Sequence, residues 1–158
     1  MPRIEISVEV AAPLERVFDL ARDIDVHQQS QTKHQEKAIA GRTAGLIEEG
    51  EEVTWEAKHL GVRQRLTSRI VVMRRPAHFR DVLVRGAFER FEHDHYFTTL
   101  PGNRTLMRDV FDYTAPLGWL GRLADILFLK QYMRNLILER NAEIKRIAET
   151  RATPFRDS

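Results

Sequence analysis

A chain of 158 residues is long enough for one domain with one sizeable core, and a content of 42% hydrophobic and 30% charged residues excludes an intrinsically disordered polypeptide. The net charge of +2 is spread over interleaved acids and bases, which argues against a nucleic-acid face. The absence of cysteine excludes disulfides, thiolate metal sites and a cysteine nucleophile, and is compatible with a reducing compartment.

The N-terminal Met-Pro-Arg-Ile-Glu-Ile lacks the apolar core of a signal peptide, so a cytoplasmic location is expected. Ile4, Ile6, Val8 and Val10 alternate with Glu5, Ser7 and Glu9, which predicts a strand with one buried face. Pro13 then opens a short helix whose stripe is Leu14, Val17, Phe18 and Ala21. Asp23 or Asp25 is placed to cap a second short helix running through His27 to Gln31.

From about Lys33 the pattern turns to strands and turns. Lys37 to Ala40 reads as a strand, and Gly41, Gly45 and Gly50 mark a loop. Val53, Trp55, Ala57 and His59 share a strand face, and His59-Leu60-Gly61 makes a tight connection. In the next strand Val62, Gln64, Leu66, Ser68, Ile70 and Val72 oppose a solvated face of Arg63, Arg65, Thr67 and Arg69. Arg75-Pro76 ends that run. Strands follow at Phe79 to Val84, Phe88 to Thr98 and, after the turn Pro101-Gly102-Asn103, from Thr105 to Tyr113.

Pro116 to Arg151 reads as one uninterrupted amphipathic helix of roughly nine turns. Its expected inward stripe is Trp119, Leu123, Ile126, Met133, Ile137, Ile144 and Ala148, widened by Leu129, Leu136 and Ile147. Arg122, Asp125, Lys130, Gln131, Arg134 and Asn135 interrupt the apolar run, so no transmembrane span is expected. Leu120, Ala124, Leu127, Phe128 and Leu138 lie off the stripe and leave open a core contact, a homodimer contact, or a cavity-mouth surface in peripheral contact with a membrane. Residues 1–150 are read as a single domain and 151–158 as a loose tail.

The order strand, two short helices, six strands, long helix predicts an α+β fold in which a curved seven-stranded antiparallel sheet wraps the C-terminal helix. Val10-Ala11-Ala12-Pro13-Leu14-Glu15-Arg16-Val17-Phe18 and Thr114-Ala115-Pro116-Leu117-Gly118-Trp119-Leu120-Gly121-Arg122 carry a likeness at the entries to the first and last helices. The chain resembles the START-like helix-grip (SRPBCC) superfamily, in particular its bacterial polyketide cyclase and ligand-binding branch. That resemblance implies a cavity between sheet and long helix for a lipid, polyketide, isoprenoid-like or similar molecule. Some members of the superfamily are enzymes and others only bind and carry, so the fold does not settle the function.

Alternation puts Phe91, His93, His95 and Phe97 on one strand face, away from Glu92, Asp94 and Tyr96. Asp81 lies between Phe79 and Leu83, and Asp109 between Met107 and Phe111. His59 shares a face with Trp55, and Gln64 with Leu66. If these faces meet the helix, a polar belt of His59, Gln64, Asp81, His93, His95 and Asp109 crosses an apolar wall. With Trp55, Leu66, Phe79, Phe91, Phe97, Met107 and Phe111 from the sheet, and Met133, Ile137, Arg140 and Asn141 from the helix, it forms the candidate ligand-binding set.

The belt fits a satisfied structural network, the polar end of a ligand site, or general-base catalysis by His93 or His95 with Asp109. A metal could use His93 and His95 with His59 or Asp109, but the expectation is no metal and no cofactor. His27, His34 and Glu36 are expected to be solvated or capping, and Lys130 could reach a ligand or pair with an acid. The reading is a binder of a small hydrophobic or amphipathic molecule. The alternatives are a cofactor-independent cyclase or dehydratase-like enzyme and a protein-interaction module.

Overall fold

The computed structural model describes residues 2–150. Met1, the expected last helical residue Arg151 and the tail 151–158 lie outside the described residues. β1 (Arg3–Val10) is followed by α1 (Leu14–Ala21), α2 (Ile24–Ser30) and a short 3-10 turn at Thr32–His34. Pro13 immediately precedes α1, which buries Val17, Phe18 and Ala21. Asp23 caps α2 by accepting hydrogen bonds from the Asp25 and Val26 backbone N–H groups.

Six further strands complete the sheet: β2 (Lys37–Gly41), β3 (Glu52–His59), β4 (Val62–Arg74), β5 (His78–Arg85), β6 (Arg90–Leu100) and β7 (Arg104–Thr114). All seven are antiparallel and lie in the order β1-β7-β6-β5-β4-β3-β2. The last six strands are a meander, and β1 joins its far edge beside β7. Leu60 and Gly61 both take positive φ, the backbone twist that suits a two-residue link between β3 and β4. Register shifts at Thr67/Ser68 and Ile70/Val72 of β4 mark bulges, which bend a strand and help the sheet curl.

The C-terminal helix has three parts: α3 (Gly118–Ala124), one π turn (Asp125–Leu129) and α4 (Lys130–Thr150). The π turn corrects the expected stripe. One extra residue in a helix rotates the turns before it by about 100° relative to the turns after it. Met133, Ile137, Ile144 and Ala148 of α4 do face inward. Before and within the π turn, however, Trp119 is 73% exposed and Ile126 81% exposed, and Leu123 is also exposed. Leu120, Ala124 and Phe128 take the cavity side instead. Asp125, the first residue of the π turn, is buried and accepts a hydrogen bond from the hydroxyl of Tyr113 on β7.

The apolar core falls into two clusters. One joins α1, α2 and α4 to the sheet through Phe18, Trp55, Ile70, Phe79, Phe97, Met107 and Ile144. The other packs Ile4, Ile6, Phe91, Phe111 and Tyr113 against Ile137. Between them, in register on three elements, lie His93 and His95 of β6, Asp109 of β7, and Arg140 and Asn141 of α4. A polar belt therefore divides the core.

Candidate functional site

A cavity of about 460 Å³ opens between the concave face of the sheet and the C-terminal helix. Its sheet wall includes Trp55, Ala57, His59, Gln64, Leu66, Phe79, Asp81, Phe91, His93, His95 and Phe111, and its helix wall includes Met133, Ile137 and Arg140. All of these but Ala57 belong to the candidate set, and the fold brings them together. Phe97, Met107, Asp109 and Asn141 are not on the wall but behind it. Phe97 and Met107 belong to the packed core because α1 covers their end of the sheet, with the Phe18 and Phe97 ring centroids 5.1 Å apart. Strand alternation assigns a face to a residue but not the element that covers it.

Asp109 is the hub of the belt. It is 1% exposed; its Oδ1 lies 2.8 Å from His93 Nε2 and 3.0 Å from His95 Nδ1, and its Oδ2 accepts from Asn141 Nδ2 at 2.6 Å. The β6–β7 register places His95 directly opposite Asp109, and the β5–β6 register places Asp81 opposite His93. His95 Nε2 then reaches Asp81 Oδ1 at 2.9 Å. Arg140, also buried, donates to Asn141 Oδ1 at 3.0 Å and to the Ala21 carbonyl at 2.9 Å, with its guanidinium 3.6 Å from Asp109. Each of these residues thus has at least one hydrogen-bond partner.

The arrangement fixes protonation. Both nitrogens of His95 face carboxylates, so both must donate. Burial pulls its pKa down, but the hydrogen bonds to Asp109 and Asp81 outweigh this and hold it above the ordinary imidazole value. His93 goes the other way: burial first, and then the neighbouring His95, push it below the ordinary value. Burial alone would raise the Asp109 pKa, yet its hydrogen bonds to the two histidines set it well below the usual carboxylate range. Asp81 behaves alike, with burial outweighed chiefly by its bond to His95. Two carboxylates, Arg140 and a protonated His95 sum to zero, which suits a belt away from water. Neutral His93 must donate Nε2–H to Asp109. That leaves Nδ1 with a lone pair and no hydrogen-bond partner among the described residues, on a ring that lines the cavity. The second oxygen of Asp81 is likewise without a partner among the described residues.

A second polar group lies at the α2 end of the cavity. His27 Nε2 is 2.7 Å from Glu36 Oε1, and its ring packs on Trp55 with centroids 4.4 Å apart. His27 and Glu36, expected to be solvated or capping, line the cavity instead, because β3 and α2 converge there. His59 Nδ1 is 2.8 Å from the hydroxyl of Tyr132, and burial lowers the His59 pKa. Tyr132 is not a candidate on sequence grounds, since its position is polar on the uninterrupted helical wheel. Lys130 is exposed and not part of the cavity wall.

Asp81, His93 and His95 place ligand atoms within 4.8 Å of one another. A small divalent cation would suit that set only if His95 gave up the proton it donates to Asp81, whereas His93 could offer its unpartnered Nδ1 and keep its bond to Asp109. His59 stands with Tyr132 and not with this group. Among the described residues no helix is long and apolar enough to cross a membrane.

No protein-family model and no curated protein sequence matches the chain. Solved structures do. A protein of Thermus thermophilus superposes with a TM-score of 0.77 at 18% identity, covering 96% of this chain and 100% of that one. A START superfamily protein of Mycobacterium smegmatis gives 0.72 at 15% identity, with 95% and 99% covered. The major latex-like protein 151 of Panax ginseng gives 0.68 at 13%, with 93% and 97% covered. The chain has the START-like helix-grip fold.

Proposed function

We propose that the protein binds one small amphipathic molecule between the sheet and the C-terminal helix. The observation that carries this reading is a cavity of about 460 Å³, apolar for most of its wall, with a few polar groups converging on one region. The apolar body of the ligand lies against Leu66, Phe88, Phe91, Leu129 and Met133, and its polar end lies against Asp81 and His93. The free oxygen of Asp81 and Nδ1 of His93 are both acceptors, so a hydroxyl or phenol is the group they orient best. Titration with the apolar dye Nile red tests the reading. Saturable binding that is lost in Ala57→Phe, which places a ring in the cavity, and competition by a long-chain alcohol better than by the alkane of equal length, are expected. Dye binding unaffected by Ala57→Phe would overturn it.

The Asp109–His93 pair supports a second reading. A neutral imidazole held in one tautomer by a buried carboxylate is a general base, able to take a proton from a carbon beside a ligand carbonyl in a cofactor-independent cyclisation or dehydration. His93→Gln would then abolish turnover of a polyketide-like substrate while leaving its affinity in place. Loss of affinity without any turnover to lose would return the site to plain binding.

A further inference from the structure

Seven of the thirteen exposed large apolar side chains of the described residues fall on one stretch, 117–128, where Leu117, Trp119, Leu123, Ile126 and Leu127 all stand in solvent. Leu120 and Phe128 of the same stretch are exposed and also line the cavity, so this surface runs into the cavity wall without a polar break. Leu60 and Val62 on the β3–β4 hairpin are exposed too, and Leu60 is itself part of the cavity wall.

The exposed charges of residues 117–130 have one sign. Between Leu117 and Lys130 the only acid is Asp125, which is buried against Tyr113. Arg122 and Lys130 are exposed and form no ion pair among the described residues. The same holds for Lys58 beside the β3–β4 hairpin and Arg85 at the β5–β6 turn. Elsewhere arginines are commonly neutralised, as Arg63 and Arg65 are by Glu56 and Arg108 is by Glu5. Glu89, just past the β5–β6 turn, is the nearest exposed acid in the sequence of these elements.

We infer that residues 117–130 are a membrane-docking face that lies in the surface of an anionic bilayer, with Trp119, Leu123, Ile126 and Leu127 in the acyl boundary and Arg122 and Lys130 at the headgroups. A helix with an apolar ridge, a tryptophan and flanking cations is the form that rests in a bilayer interface. A second copy of the chain fits less well, because a two-fold contact sets the same unneutralised cations against themselves. Docking there turns the cavity mouth toward the lipid, so an apolar molecule could pass between bilayer and cavity without crossing water. The inference goes beyond the ligand-binding reading and does not need the cavity to be filled.

Co-sedimentation of the full chain with vesicles of phosphatidylcholine, alone or mixed with phosphatidylglycerol, tests it. The chain should sediment with the mixed vesicles, more weakly at high salt, and not with phosphatidylcholine alone. Its tryptophan emission should shift to the blue, and Trp119→Phe should remove the shift. Arg122→Ala and Lys130→Ala should each weaken binding about fivefold, the effect of roughly one interfacial cation. Ile126→Glu with Leu127→Glu should abolish it while Nile red binding in the absence of vesicles persists, which separates lost docking from lost folding or a lost cavity. The inference is overturned if the chain ignores anionic vesicles or if the double variant binds them as well as the parent does. It is also overturned if the same pair instead abolishes self-association in sedimentation velocity.

Discussion

His95 Nδ1 stands 3.0 Å from Asp109 Oδ1, and Asp109 is 1% exposed, so the imidazole and the carboxylate hold each other's charge in a buried part of the fold. Removing one partner of such a pair leaves the other uncompensated. Asp109→Asn keeps the shape but removes the charge from a site that also holds His93, Asn141 and Arg140 in place. The expected loss of stability is about 3 to 5 kcal/mol in urea unfolding. A loss below about 0.5 kcal/mol, the scale of an ordinary surface change, would mean that the belt is not an ionised network.

The two histidines of the belt respond to pH in opposite directions. His95 has a raised folded-state pKa. Its contribution is fully present below the ordinary imidazole value, about 6.5, and is lost as pH rises through the raised value. His93 and His59 have lowered values, so they favour the folded state as pH rises toward the ordinary imidazole value. Asp81 and Asp109 are lowered as well, and their contribution is lost as pH falls through their depressed values. In an NMR titration His95 should keep its proton to higher pH than a free imidazole, while His93 should already be neutral at neutral pH. The stability advantage of the parent over His95→Gln should shrink on the alkaline side. An advantage that grows there would contradict the assignment.

The π turn begins at Asp125, whose carboxylate accepts from the Tyr113 hydroxyl; burial, with that bond, raises the tyrosine pKa. Tyr113→Phe should cost about 1.5 to 3 kcal/mol, as for other hydrogen bonds to charged groups. Amide exchange should rise first in residues 118–129. Uniform acceleration across the whole helix would mean that the pair does not set the local geometry.

Gly121 fixes the start of α3. A Cβ at this residue would overlap the Pro116 carbonyl oxygen, so only glycine allows the helix start to fold back on that peptide. Gly121→Ala should destabilise by about 1 to 3 kcal/mol, the cost of forcing extra atoms into a filled site, and should alter Nile red binding because α3 borders the cavity. An unchanged melting temperature would show that α3 can shift freely.

The succession of strands and part of the polar belt are legible in the sequence, because alternation has a period of two and these residues sit among apolar neighbours on one face: His93 and His95 between Phe91 and Phe97, Asp109 between Met107 and Phe111, Asp81 beside Phe79. His59, expected in the belt, stands instead with Tyr132. Whether a belt residue is wall or interior was not legible, since that depends on what crosses above it. Phe97 and Met107 are roofed by α1, and Asp109 is sealed by Asn141. The cavity-facing side of residues 118–128 is not legible in the sequence, because one π turn carries no periodic signature, yet it exchanges Trp119, Leu123 and Ile126 for Leu120, Ala124 and Phe128. Tyr132 and the His27–Glu36 pair were missed for a related reason: they meet the cavity through the convergence of α2, β3 and α4, a long-range relation that no local pattern encodes.

Native mass spectrometry of the protein purified without denaturant tests the ligand-binding reading most directly. One recurring small molecule per chain, apolar in the main and bearing a hydroxyl or phenol, is expected on the parent and should be absent from Ala57→Phe. A bare chain in both samples, together with no uptake of Nile red by the parent, would contradict it.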